Sequence, residues 1–162
     1  MVFFDKFRSA KSWFNKGTKL LVQGNYDEAL KCFNKAVDVD PEYDIAWSSR
    51  GLILEKNEEY QNALESFNRA LEIDPKFVMA WINRGITLGK LEEYEDAIKS
   101  FDKALELYPN QVLAWSNKGI ALGKLGKYDK ALNCFNKAIE LDPEYKPALE
   151  AKNAILKESG PK

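Results

Sequence analysis

Four tryptophans constrain this chain more than anything else in it. Trp13, Trp47, Trp81 and Trp115 stand 34 residues apart, and Gly17, Gly51, Gly85 and Gly119 follow them in step, four places later each time. A fixed period of this length, kept without an insertion, predicts an array in which each unit buries its apolar face on its neighbours. The period divides the chain into a segment 1–9, four units (10–43, 44–77, 78–111 and 112–145) and a remainder, 146–162.

Each unit carries two helical patterns. In the first, Trp, Gly and Leu recur at i, i+4 and i+7, as in Trp81, Gly85 and Leu88, which is one face of a helix. In the second, Tyr, Ala, Phe and Ala recur at i, i+3, i+7 and i+10, as in Tyr94, Ala97, Phe101 and Ala104. Pro41, Pro75, Pro109 and Pro143 close the units, since proline cannot continue a helix. After Tyr145, the stretch from Pro147 to Leu156 keeps helical spacing but has Leu149 in the tryptophan place and Asn153 in the glycine place. It is expected to be a capping helix that ends near Gly160 and presents a polar outer face.

Composition narrows the function. Lys+Arg number 24 and Asp+Glu 25, so no basic footprint for nucleic acid or anionic lipid is expected. No apolar run approaches the roughly 18 residues that cross a bilayer, and the first residues lack a signal-peptide pattern, which predicts a soluble, cytoplasmic protein without a membrane partner. There is no histidine, so the commonest general base and metal ligand is missing. Cys32 and Cys134 occupy the same place in the first and last units, too far apart in an array to form a disulfide, and Ser66 and Ser100 take that place between them. The expectation is a non-catalytic protein with no cofactor and no metal site.

The repeating Trp, Gly, Leu or Tyr, Tyr, Ala, Phe, Ala and Pro at these offsets resemble the tetratricopeptide repeat (TPR). The resemblance covers the four units and implies an all-α fold, a right-handed α-solenoid superhelix of helix-turn-helix repeats. It also implies that each mid-helix glycine lies against the small alanine of the second helix (Ala29, Ala63, Ala97, Ala131). Two departures stand out. The turn between helices has Gly24 and Gly126 in two units but Glu58 and Glu92 in the others, and Tyr108 replaces the Asp that elsewhere precedes the closing proline.

A candidate binding stripe follows from the first helices. The places two before, one after, two after and five after Trp share one helix face at i, i+3, i+4 and i+7, and the resemblance implies that this face lines a concave groove. Two after Trp stand Asn15, Ser49, Asn83 and Asn117, similar to an asparagine ladder whose amides grip a peptide backbone, an interaction indifferent to side-chain identity. Ile45, Leu52, Met79, Ile82, Ile86, Leu113 and Ile120 supply an apolar floor. The expected partner is therefore a protein or peptide with an apolar segment. The family's carboxylate clamp is not expected. Its five positions fall on Phe14, Thr18, Ser49, Met79 and Asn83 in the first three units and on Ser48, Leu52, Asn83, Leu113 and Asn117 in the last three, and only Asn83 fits.

Two further features carry alternatives. Lys16, Arg50, Arg84 and Lys118 form a basic row three after Trp, with Lys56, Lys90 and Lys124 six places further on; solvated charge balanced by second-helix carboxylates competes with steering of an acidic partner. Phe3, Phe4 and Phe7 could cap the first unit, or they could enter the groove of a neighbouring copy, making the protein a self-assembling structural module.

Overall fold

The structure, a computed structural model, describes residues 9–159. Nine helices and no strand occur among the described residues: α1 (Ala10–Val22), α2 (Tyr26–Val39), α3 (Asp44–Lys56), α4 (Tyr60–Ile73), α5 (Val78–Lys90), α6 (Tyr94–Leu107), α7 (Val112–Lys124), α8 (Tyr128–Leu141) and α9 (Lys146–Ser159). Phe3, Phe4, Phe7 and Gly160 lie outside these residues, and so do the two readings offered for the aromatic segment. The chain divides into two compact units, one ending at Ala80 and one beginning at Trp81, with the boundary inside α5.

The helix pairs arise from local chemistry that repeats with the sequence. Ser9 starts α1 by accepting a hydrogen bond from the Ser12 N–H at 3.2 Å. The first helix of every pair then ends in the same turn: its C′ residue has a left-handed backbone, at Gly24 (φ 79°), Glu58 (φ 64°), Glu92 (φ 61°) and Gly126 (φ 70°). In α1 the Gly24 N–H donates to Leu21 O and the Asn25 N–H to Leu20 O, the pair of bonds that satisfies the last carbonyls of a helix. The same two bonds close α3 (Glu58 to Glu55, Glu59 to Leu54), α5 and α7. A three-residue turn of this kind sends the second helix back antiparallel to the first.

The second helix stops differently. Asp40, Asp74 and Asp142 hold the following loop by accepting from the N–H two residues on, at 3.1, 2.9 and 3.1 Å. Tryptophans tie down the loops after α2 and α6, since Trp47 Nε1 donates to Pro41 O at 2.9 Å and Trp115 Nε1 to Pro109 O at 2.7 Å. Trp13 is buried, whereas Trp47, Trp81 and Trp115 are half-buried, so Trp47 and Trp115 are loop anchors as much as core.

In the unit ending at Ala80, Trp13, Cys32, Ala36, Val37 and Ala46 form one apolar cluster and Ala29, Phe33 and Ile53 a second. Phe14 joins both, with its ring 5.6 Å from Phe33 and 5.3 Å from Tyr43. In the unit beginning at Trp81, Leu122, Ala131, Phe135, Ala138, Ala148 and Ile155 form a cluster that includes α9. The phenylalanines Phe33, Phe67, Phe101 and Phe135 are fully buried or nearly so, each contributing about 1.5–3 kcal/mol by leaving water. The mid-helix glycines make room for these rings. A Cβ at Gly17, Gly51, Gly85 or Gly119 would come within 2.6–2.8 Å of the ring Cε1 of Phe33, Phe67, Phe101 or Phe135. A phenylalanine ring thus fills the space that a side chain at each glycine would need.

Candidate functional site

Helix geometry divides the predicted stripe into residues that a ligand can reach and one that it cannot. Ile45 (45% exposed), Leu52 (40%), Met79 (45%) and Ile120 (38%) are large apolar side chains left in water. Asn15 is exposed, and Ser49, Asn83, Ile86, Leu113 and Asn117 are half-buried. Ile82 has no accessible surface and leaves the set. The reason is visible in its register: Ser48 and Ser116, at the same place, are also buried, so the position one after Trp faces inward in these repeats.

The Asn117 amide is partly committed to its own helix, with Nδ2 donating to Leu113 O at 2.8 Å. That bond fixes the side chain and leaves Oδ1 and the second N–H as its remaining bonding capacity. In the unit beginning at Trp81, Asn117, Ile86 and Ile120 meet around a cavity of about 240 Å³ between α5 and α7. Gly89 and Tyr94 also line it and were not among the sequence candidates, and Lys124 of the outer basic row lines it too. Gly89 was detectable, because Leu21 and Glu55 occupy its place in the first two repeats. A second cavity of about 380 Å³, between α7 and α9, shares Ile120 and Lys124 with the first.

The basic row is built into the repeats. Arg50 and Arg84 are half-buried, and each donates through Nη1 to the hydroxyl of a second-helix serine, Ser66 or Ser100. Arg50 Nε also donates to Asn34 Oδ1 at 2.8 Å. Lys118 forms an ion pair with Asp102, as expected of a charge balanced by a second-helix carboxylate. Burial lowers the Arg84 pKa, with Asp96 and Glu93 opposing the shift. The same effect acts with opposite sign on Cys134, whose thiol is pushed up by burial and so held protonated. Both cysteines are buried and unbridged. Among the described residues no three His, Cys, Asp or Glu side chains cluster as metal ligands would, and no helix is long and apolar enough to cross a membrane.

Two sequence profiles of the tetratricopeptide repeat match the chain, one over residues 14–76 and the other over 78–111 and again over 112–145. The chain belongs to the tetratricopeptide repeat family. No curated protein sequence matches it. Among solved structures, YrrB, described as a TPR protein with an unusual peptide-binding site, is 28% identical with a TM-score of 0.81, over 89% of this chain and 74% of that one. MamA from Desulfovibrio magneticus RS-1 is 23% identical with a TM-score of 0.85, over 92% and 84% of the two chains. Another MamA structure is 22% identical with a TM-score of 0.83, over 89% and 84%. These likenesses show the fold, an all-α solenoid of helix-turn-helix repeats, here four repeats followed by a C-terminal helix.

Proposed function

We propose that the protein is a non-catalytic scaffold that binds an apolar peptide segment on the exposed face of its first helices. The TPR fold supports protein–protein interaction as the general role. One observation carries the finer reading: Ile45, Leu52, Met79 and Ile120 expose large apolar side chains on these helices, with amide side chains beside them. Burying such side chains against a partner returns about 25 cal/mol per Å² of apolar surface, and the amides supply direction by pairing with a peptide backbone. The peptide-binding site named for YrrB gives the same reading a precedent within the fold. On this reading the contributing residues are Asn15, Ile45, Ser49, Leu52 and Met79 in the unit ending at Ala80, and Asn83, Ile86, Leu113, Asn117 and Ile120 in the unit beginning at Trp81.

The test is a pull-down from the native lysate, with wild type beside Asn83→Ala/Asn117→Ala and beside Ile45→Glu. A specific protein captured by wild type and lost from both variants supports the proposal. Identical captures by all three would refute it. A second reading shares the same apolar face: the segment containing Phe3, Phe4 and Phe7 docks into another copy. Light scattering separates the two, because deletion of residues 1–8 must lower the mass if that segment drives assembly.

A further inference from the structure

The cavity between α5 and α7 exists because two positions that could fill it hold small residues. Eight places after Trp, the first helices carry Leu21, Glu55, Gly89 and Gly123; six places after it they carry Lys19, Ile53, Thr87 and Ala121, and Ile155 of α9 stands in the same register. At Gly123 the space is occupied, since an added Cβ would lie 3.3 Å from Ile155 Cδ1. At Gly89 an added Cβ meets nothing within 4 Å, and the residue in the Ile155 register is Ala121. Both Gly89 and Ala121 line the resulting hollow of about 240 Å³. That volume falls below the roughly 300–1,000 Å³ of small-molecule pockets and suits one bulky side chain.

The charge of the hollow is one-sided. Its walls are Ile86, Ile120, Tyr94 and the edge of Phe101, and the charged residues lining it are Lys90 and Lys124, with no carboxylate. The adjoining hollow between α7 and α9 is more mixed in polarity, and Lys124, on the shared wall, is the charged residue among those that line it. An apolar socket with Lys124 on its wall complements a peptide that places a carboxylate next to a large apolar side chain.

We propose that the α5/α7 hollow is the specificity pocket of the peptide site, receiving one bulky apolar side chain while Lys124 pairs with an adjacent Asp or Glu of the same ligand. The proposal rests on the peptide-binding reading given above and adds the ligand's sequence chemistry to it.

The probe is a phage-displayed library of random peptides panned against the full chain, with the best-enriched sequence then synthesised and titrated by fluorescence anisotropy. Enrichment of Phe, Trp, Leu or Ile next to Asp or Glu is expected. Gly89→Leu and Ala121→Ile, which install side chains found at these registers elsewhere in the array, should each weaken binding by about tenfold or more while leaving the melting temperature no lower. Lys124→Gln should weaken the acidic peptide and leave its Asn or Gln counterpart unchanged. A peptide that binds both filled variants as tightly as wild type, yet is lost on Leu52→Glu or Ile45→Glu, overturns the pocket and leaves the peptide-binding reading standing. No enrichment on wild type overturns both.

Discussion

Arg84 of α5 donates through Nη1 to the hydroxyl of Ser100 in α6, and that hydroxyl donates in turn to Asp96 O at 3.0 Å. Arg50 and Ser66 repeat the arrangement one period earlier, with Ser66 donating to Asn62 O at 2.8 Å. In the outer repeats the same two places hold Lys16 with Cys32 and Lys118 with Cys134. Arginine thus stands with serine and lysine with cysteine, as hydrogen-bond chemistry requires: a guanidinium finds a good acceptor in a hydroxyl, whereas a thiol is a poor one and Lys118 turns to Asp102.

This pairing predicts a measurable coupling. In a double-mutant cycle of Arg50→Lys and Ser66→Cys, read by urea denaturation, the two changes should interact by about 1 kcal/mol, the net worth of a half-buried charge-assisted bond. The same cycle run in reverse on Lys118 and Cys134 should give a smaller term, because Asp102 already holds the lysine. Equal coupling at both places would show that the pairing is incidental.

The helix-ending turns predict two stabilising substitutions. Glu58 and Glu92 sit at φ 64° and 61°, where Gly24 and Gly126 stand in the sister repeats. A side chain in this region costs about 1–2 kcal/mol, part of which glycine returns as unfolded-state entropy. Glu58→Gly and Glu92→Gly should therefore each stabilise by about 0.5–1 kcal/mol, visible as a raised thermal midpoint. A lowered midpoint for both would mean that the glutamates make compensating contacts through their side chains.

The period made the helices and turns legible in the sequence because every repeat faces the same local demands, so one reading serves four times. The departures at Glu58 and Glu92 were visible for the same reason. The binding face was harder. Spacing at 100° per residue shows which side chains share a face, not what the next helix places against that face, and Ile82 was assigned to the surface on its spacing and the family resemblance. The rings beside the glycines were hidden for a related reason, since only the fold shows that Phe33, Phe67, Phe101 or Phe135 reaches over each of them. The cavity required two residues in different helices, Gly89 and Ala121, whose combined smallness no single helix displays.

Two glycines four residues apart in α5 should respond oppositely to alanine. At Gly85 the new Cβ would stand 2.6 Å from Phe101 Cε1, and that ring is buried. At Gly89 nothing stands within 4 Å. Gly85→Ala is expected to destabilise by about 1–3 kcal/mol through overpacking. Gly89→Ala is expected to stabilise by up to about 1 kcal/mol through helix propensity. Denaturant midpoints of the two variants check this directly, and a stabilised Gly85→Ala would show that Phe101 can move.

Cys134 predicts how stability falls at alkaline pH. Burial raises its pKa above the thiol's ordinary value of 9.0, with Lys118 opposing the shift and Asp102 adding to it. A group whose folded pKa is raised favours the folded state fully below its unfolded value, and that contribution is lost as pH rises through the folded value. The buried neutral thiol should therefore stabilise the protein up to about pH 9 and progressively less above it. Cys134→Ser removes the titration while placing there the residue that Ser66 and Ser100 already supply at the same register. The informative quantity is the difference in urea midpoint between wild type and Cys134→Ser. That difference should be constant from neutral pH to about pH 9 and shift against the wild type beyond it. Over the same range Ellman's reagent should label Cys134 at the rate of unfolding and not at the rate of an exposed thiolate. A midpoint difference independent of pH, or rapid labelling of the folded protein, would mean that the thiol ionises as freely as in water.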